Sequence, residues 1–340
     1  MLKKVLVVKL GTAAITTSEG LVNHTLLAQL CSQLAQLHAN HHVLLVSSGA
    51  VGSGKAFIEG YKGTTNQKKA AAAVGNPLLM AAYAQQFAPM GITVAQCLAE
   101  RSHFNQRHSF VQLKATITEL WKSRIIPIAN DNDVVNDREL RFTDNDELAT
   151  RLAVAFNAKK LLIGSSVDGL LDEQNRAVAH VTMIDEQILS LVRPQKSGQG
   201  TGGMLSKLLH TQMATKMGIE TVIFNARNAN ALLNAAANKA GTVFLAQKSS
   251  LSDRQKWLLS GNTQGSLAID AGAAKALLQR KSLLAVGVVR IVTDFAEGEI
   301  IDIEDEQGQL VAMGKTRMHA KNWVKGAAQV VVHANDLILL

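Results

Sequence analysis

Two lysines, two glycine-rich turns and a short acidic run supply the chemistry open to this chain. They lie in four segments: Val7-Val8-Lys9-Leu10-Gly11-Thr12, Ser47-Ser48-Gly49-Ala50-Val51, Asp144-Asn145-Asp146 and Gly200-Thr201-Gly202-Gly203-Met204-Leu205-Ser206-Lys207. Three of the four follow an apolar run that reads as a buried strand, and ligands of open α/β sheets collect beyond the carboxyl ends of strands. Phosphoryl transfer needs mainly positioning and neutralisation of charge. Cations, turns rich in backbone N–H groups and a carboxylate able to orient the lysines are the parts for it.

Each segment also has a plainer reading. Lys9 ends a very apolar strand, where an ammonium is costly to bury unless an anion receives it; a snorkelling structural lysine is the alternative. Lys207 falls in the first turn of a helix, against the dipole. A bound phosphate would relieve that conflict, and a solvated surface lysine would not need it. Asp144 or Asn145 could be a helix N-cap. The run Gly49-Ala50-Val51-Gly52-Ser53-Gly54-Lys55-Ala56 approaches the P-loop pattern, but Ala56 stands where a magnesium-holding Ser or Thr belongs. The competing reading is a tight turn at Ser48-Gly49-Ala50 that opens a helix and faces an anion.

The elements that must position these residues alternate along the chain. Apolar strand-like runs at 5–10, 43–48, 92–97, 125–130, 160–165 and 220–225 are separated by helical patterns at 24–38, 77–88, 110–122, 146–155 and 204–217. This predicts a mainly parallel sheet covered on both faces. Asn136-Asp137 suggests a surface hairpin beside it, and the Gly- and Ser-rich segment 195–203 reads as a mobile loop. After about residue 250 the pattern shifts to short runs at 286–292, 300–303, 310–313, 330–332 and 337–340, with one helix at 271–279. The expected organisation is an α/β domain over 1–250 and a small mostly-β domain over 255–340.

Composition narrows the class. Of the 340 residues, 47% are hydrophobic and 18% charged, as in ordinary folded proteins, and no apolar run is long enough to span a membrane. The apolar stretch after Lys3 and Lys4 stops at Lys9, too soon for a secretory signal, so a cytoplasmic protein is expected. Two cysteines, Cys31 and Cys97, make neither a disulfide framework nor a zinc site, and the dispersed histidines show no ligand spacing. No protein-held metal is expected. The net charge of +8 lies entirely in residues 1–250, with 25 Lys/Arg against 17 Asp/Glu, while 251–340 hold ten of each. That distribution suits small anionic ligands of the first domain rather than a strongly basic nucleic-acid surface in the second.

With these segments in place, the chain resembles the amino-acid kinase family, and its segment from about 260 resembles the PUA domain appended to many members. The similarity includes Val-Lys-Leu-Gly-Thr at 8–12, Ser-Ser-Gly-Ala at 47–50 and Ala-Val-Gly-Asn at 73–76. It continues through Asn130-Asp131-Asn132-Asp133, Asp144-Asn145-Asp146 and Gly-Thr-Gly-Gly-Met at 200–204. The resemblance implies a three-layer sandwich plus a PUA-like domain. It also implies transfer of the ATP γ-phosphoryl group to the side-chain carboxylate of L-glutamate, the first step toward proline, with magnesium carried on the nucleotide. By position it implies catalytic roles for Lys9, Asp146 and Lys207, with Asp146 orienting the lysines. Glutamate contacts fall on Ser48, Asp133 and Asn145. ATP contacts fall on Lys9, Ser165, Ser166, Thr201, Gly202, Gly203, Met204, Leu205, Ser206 and Lys207. Proline feedback and a homo-oligomer belong to the same expectation. The alternatives are a kinase for aspartate or N-acetylglutamate, or a catalytically weakened regulatory or RNA-binding relative.

The implied chemistry agrees with the residue types. A carboxylate with a solution pKa of about 4.3 is already ionised at pH 7 and needs no general base. The obstacle is repulsion between anions, which ammonium groups relieve. Asp133 would pair with a substrate ammonium, which a free amino acid has and an N-acetylated one lacks. Three departures stand out. Ser165-Ser166 replaces the Thr-Asp common beside the nucleotide, Asp131 replaces a Glu, and 325–330 is shorter than the usual Gly- and Tyr-containing segment. Looser ATP binding, an altered substrate fit and weak RNA binding are the corresponding expectations.

Overall fold

Leu6, Val8 and Leu10 on one side of the first strand and Val7 and Lys9 on the other are all buried, so this strand is covered on both faces. The computed structural model describes residues 3–17, 21–135, 144–192, 203–249, 255, 258 and 263–339. The expected hairpin at Asn136-Asp137 and the loop 195–203, apart from Gly203, lie outside them. The chain forms two compact units. One comprises Met1–Glu100 with Val111–Ser249, and the other Arg101–Phe110 with Ser250–Leu340.

In the first unit the order is β1 (Lys4–Leu10), α1 (Thr12–Ile15), α2 (His24–Asn40), β2 (His41–Ser47), α3 (Ala50–Gly54), α4 (Thr65–Phe87) and β3 (Val94–Ala99). After α5 (Ser102–Asn105), which with the start of α6 groups with the second unit, come α6 (Arg107–Lys122), β4 (Ile126–Asp131), α7 (Asn145–Ala155), β5 (Lys160–Ser165), β6 (His180–Val181) and α8 (Glu186–Ser190). Then follow α9 (Met204–Lys216), β7 (Glu220–Asn225), α10 (Ala231–Ala236) and β8 (Thr242–Phe244). The sheet runs β3-β4-β2-β1-β5-β7-β8-β6, and every pair is parallel except β7 with β8. From β1 the chain first builds β2, β3 and β4 on one side, then crosses to β5 and β7 on the other. β1 therefore sits where the strand order reverses, the place where such sheets bind ligands.

Helices α2, α4 and α10 pack on the Leu6, Val8 and Leu10 face. Helix α7, beside α9, covers the opposite face, to which Lys9 points. The three layers match the expected sandwich. Helix α4 is longer than the predicted 77–88 and runs unbroken through Pro77. Its start is the capping box of Thr64 and Gln67, a signal upstream of the proline that the apolar spacing does not reveal. No helix among the described residues is long and apolar enough to cross a membrane.

The second unit is mostly β: β9 (Thr263–Ile269), α11 (Ala271–Leu278), β10 (Leu283–Leu284), β11 (Val288–Thr293), β12 (Ile300–Glu304), β13 (Leu310–Thr316) and β14 (Val330–Leu339). Its sheet runs β10-β14-β13-β12-β9-β11 around a core that includes Leu267, Ile301, Ile303 and Val332. The predicted run 330–332 and residues 337–339 of the run 337–340 belong to one strand, Leu340 lying outside the described residues. Both ends pair with β13, Val332 opposite Thr316 and Leu337 opposite Gly314, across a bulge that breaks the apolar run between them. β9 escaped the sequence reading because only its last three residues, Leu267, Ala268 and Ile269, are consecutively apolar.

Candidate active site

β1, β2 and β5 end level with one another, Leu10 lying opposite Ser47 on one side and Gly164 on the other. The turns beyond them are tied together by backbone bonds. Ser48 N–H donates to the Leu10 carbonyl at 3.0 Å, and Gly11 N–H to that of Gly164 at 3.3 Å. A Cβ on Gly11 would stand 3.3 Å from Lys9 Nζ, so the glycine leaves room for the ammonium.

Helix α7 brings the acidic run over these strand ends. Asp144 is its N-cap, as one reading of the sequence allowed, its Oδ1 accepting from the N–H groups of Asp146 and Glu147 at 2.9 and 3.1 Å. The cap leaves Asp146, 0% exposed, between two nearly buried cations, Lys9 at 5% and Lys207 at 8%. Lys9 Nζ lies 2.7 Å from Asp146 Oδ1 and Lys207 Nζ 2.9 Å from Oδ2. The Lys207 contact is also an aligned hydrogen bond, whereas the Lys9 contact is an ion pair at a less favourable angle. Burial by itself pushes the Asp146 carboxyl up, but the two ammonium groups together outweigh it and hold the group down at about 2. The carboxylate is thus ionised throughout the neutral range, and the trio carries one net positive charge.

The same helix end joins α9. Asp144 Oδ2 accepts the Ser206 hydroxyl at 2.5 Å, so one side chain caps α7 and holds the first turn of the helix carrying Lys207. His210 Nε2 is 3.9 Å from Asp144 Oδ1. Burial pushes its pKa down despite the nearby Asp144, Glu147 and Asp146 carboxylates. The conflict of Lys207 with its helix dipole is met here by Asp146. The link from Asp144 to Ser206 and the position of His210 have no signature in the sequence, because they depend on how α7 lies against α9.

On the other side of α7, Asn145 Nδ2 donates to Ser48 Oγ and to Asn130 Oδ1, each at 2.9 Å. Asn130 Nδ2 in turn donates to Asn76 Oδ1 at 3.1 Å. Asn76 and Asn130 occur in the motifs of the chain but were not singled out as site residues. The signal for Asn130 is the Asn-Asp-Asn-Asp run at the end of an apolar strand, and that for Asn76 is the Ala-Val-Gly-Asn segment at 73–76. Asp133 is half-buried in the turn after β4.

The residues expected at the nucleotide are placed less uniformly. Ser165 ends β5 opposite Asn225, and Ser166 follows it, exposed. Gly203 is the N-cap of α9, with open space where a Cβ would be. Met204 begins the helix, and Leu205 is 48% exposed. Thr201 and Gly202 lie outside the described residues.

The P-loop resemblance of 49–56 has a different physical basis. Gly49, at φ 110°, makes the sharp turn into α3. Gly54 and Gly75 let α3 and α4 touch, since a Cβ on Gly54 would stand 1.9 Å from the Ala71 carbonyl oxygen and one on Gly75 1.8 Å from that of Ala50. Gly54 therefore serves helix packing, and the tight-turn reading is the one the backbone follows.

Comparison with known proteins agrees with this architecture. The model of the amino acid kinase family matches residues 4–225, and that of the PUA domain matches residues 265–337. The chain is 32% identical to the glutamate 5-kinase of Pasteurella multocida, with 99% of each chain covered. It is 34% identical to that of Klebsiella pneumoniae, over 93% of this chain and 89% of the relative. A carbamate kinase of Giardia lamblia bound to AMP-PNP shares the fold at a TM-score of 0.54, with 18% identity, covering 72% of this chain and 99% of that one. From the family match over most of the first unit and relatives that align along almost the whole chain, this protein belongs to the amino acid kinase family and carries a PUA domain.

Proposed function

We propose that this chain transfers the γ-phosphoryl group of ATP to the side-chain carboxylate of L-glutamate, giving L-glutamyl 5-phosphate as the first step of proline biosynthesis. The observation that carries the reading is the Asp146 carboxylate held between Lys9 and Lys207 at the strand ends. The nucleophile is an anion, so no proton needs removing, and the barrier is the repulsion between it and the phosphate chain. Asp146 uses one oxygen on each ammonium. It thereby fixes both nitrogens where ammonium groups can neutralise the charge of the transferring group. Magnesium comes with the nucleotide. Each Asp146 oxygen lies against one lysine, so the carboxylate's part in this reading is to orient the two ammonium groups.

In this reading Ser48, Asp133 and Asn145 hold glutamate. Lys9, Ser165, Ser166 and the segment from Thr201 through Gly202, Gly203, Met204, Leu205 and Ser206 to Lys207 meet ATP. Proline as feedback inhibitor, assembly into a homo-oligomer, a cytoplasmic location and weak RNA binding by the PUA domain are finer parts of the same proposal. The test is hydroxamate formation from ATP, magnesium and a panel of L-glutamate, L-aspartate and N-acetyl-L-glutamate. Glutamate should be the best acceptor; faster turnover of either other acid, or none with glutamate, defeats the proposal.

A further inference from the structure

One backbone group dictates how three asparagine amides face at the end of β4. The Asp131 N–H donates to the Asn130 side chain at 3.0 Å, and because an N–H only donates, the atom it meets is Oδ1. Asn145 reaches that same oxygen and must do so with Nδ2, which also meets Ser48 Oγ. Asn130 Nδ2 then faces Asn76, which must answer with Oδ1. Amide orientations are decided by such networks, and this one has a single consistent solution. It leaves two buried groups with no hydrogen-bond partner among the described residues, an acceptor at Asn145 Oδ1 and a donor at Asn76 Nδ2. Unpaired buried polar groups are costly in a molecule that has nothing to bind with them.

Asn76 reaches this depth because of its neighbour. Gly75 lies so close to the Ala50 carbonyl that α4 sits directly on α3, and the next residue, 6% exposed, is carried to the end of β4. Asn130, its partner, is 5% exposed.

We propose that Asn76 is a positioning residue for the acceptor substrate. Through Asn130 it holds Asn145 with Nδ2 toward Ser48 and with its carbonyl oxygen ready to accept an N–H. The uncommitted acceptor, Asn145 Oδ1, fits a ligand that brings an ammonium, as a free α-amino acid does. The inference rests on the assignment of this site to glutamate phosphorylation.

Steady-state kinetics of the full-length protein test it, with both substrates varied, for Asn76→Leu, Asn130→Ala, the double variant and Asn76→Asp. Leucine has a similar volume but accepts no hydrogen bond, so the glutamate KM should rise about tenfold or more, with the ATP KM and kcat changed much less. The double variant should be no worse than Asn130→Ala, since Asn76 acts only through Asn130. Asn76→Asp keeps the acceptor and should recover part of the loss. Equal changes in both KM values, additive losses, or no rescue by Asp would overturn the positioning role. Should Asn76→Leu not fold, Asn76→Ala gives the same comparison. Wild-type protein inactive on glutamate defeats the function itself; active wild type with an unaffected Asn76→Leu defeats this inference alone.

Discussion

At the scale of single residues, the site reduces to one carboxylate and two ammonium groups. Replacing Lys9 or Lys207 by Ala removes a donor aimed at charge that develops only during transfer. Each variant should lose about 3–4 kcal/mol of transition-state stabilisation, roughly a hundredfold to a thousandfold in kcat, while glutamate affinity changes little. Isothermal titration beside turnover assays checks both halves, and activity within about threefold of wild type rejects the roles. Asp146→Asn leaves two cations buried without their anion, so near neutral pH it should destabilise the fold by about 3–5 kcal/mol. Its pH dependence has a definite sign. The Asp146 pKa is depressed to about 2 in the folded protein, so its contribution is complete above the ordinary carboxylate value and is lost as pH falls toward 2. Urea denaturation should therefore show the gap between wild type and Asp146→Asn narrowing by about 2 kcal/mol below pH 4. A gap that stays constant down to pH 2 would mean the carboxylate is not held by the lysines.

At the scale of elements, the site depends on helices that approach very closely. Gly75→Ala would put a methyl group 1.8 Å from the Ala50 carbonyl oxygen, a backbone atom that cannot swing away. Helix α4 must then lift from α3, at a cost of about 1–3 kcal/mol for overpacking. Because Ser48 and Gly49 precede α3 and Asn76 follows Gly75, the same displacement should raise the glutamate KM. A thermal melt and a glutamate titration on this variant decide the matter; wild-type values in both would show that the contact has slack. The Asp144 bridge works in the same way, joining the cap of α7 to Ser206 on α9 and thereby the helix of Asp146 to the helix of Lys207. Ser206→Ala should lower kcat with little change in thermal stability, because one part-buried hydrogen bond contributes only about 1 kcal/mol. A kcat equal to wild type would show that Lys207 is held without the bridge.

At the scale of the whole molecule, phosphoryl transfer should not need the PUA domain, although Arg101–Phe110 groups with the second unit. Every residue assigned to transfer lies within 1–250, so this fragment, if folded by circular dichroism, should retain phosphoryl transfer. A folded fragment without activity would assign the second unit a part in catalysis. The second unit carries seven acidic residues over 294–306 beside the basic Lys315, Arg317, Lys321 and Lys325. Arg317 is further tied to the nearly buried Asp336 at 3.6 Å. Screening at a Debye length of about 8 Å leaves little net positive field for RNA. Filter binding of the full chain should find weak, salt-sensitive affinity, and submicromolar binding that resists salt would contradict this.

Much of this was legible in one dimension, for local physical reasons. Apolar runs announce buried parallel strands, so β5 and β7 were located to the residue and the end of β1, with Lys9, was placed correctly. The acidic run before a helical pattern indicated the N-cap that Asp144 provides. What the sequence could not determine were distances between segments far apart in the chain. Asp146 meets Lys9 across 137 positions and Lys207 across 61 because α7 lies over the end of β1 and beside α9. The duty of Gly54 is equally non-local, since a glycine that permits helix packing and one that cradles phosphate are the same letter. Asn76 joins Asn130 across 54 positions only because α4 sits directly on α3. Short-range propensity and periodicity set the elements, whereas close packing between them decides which polar groups share one site.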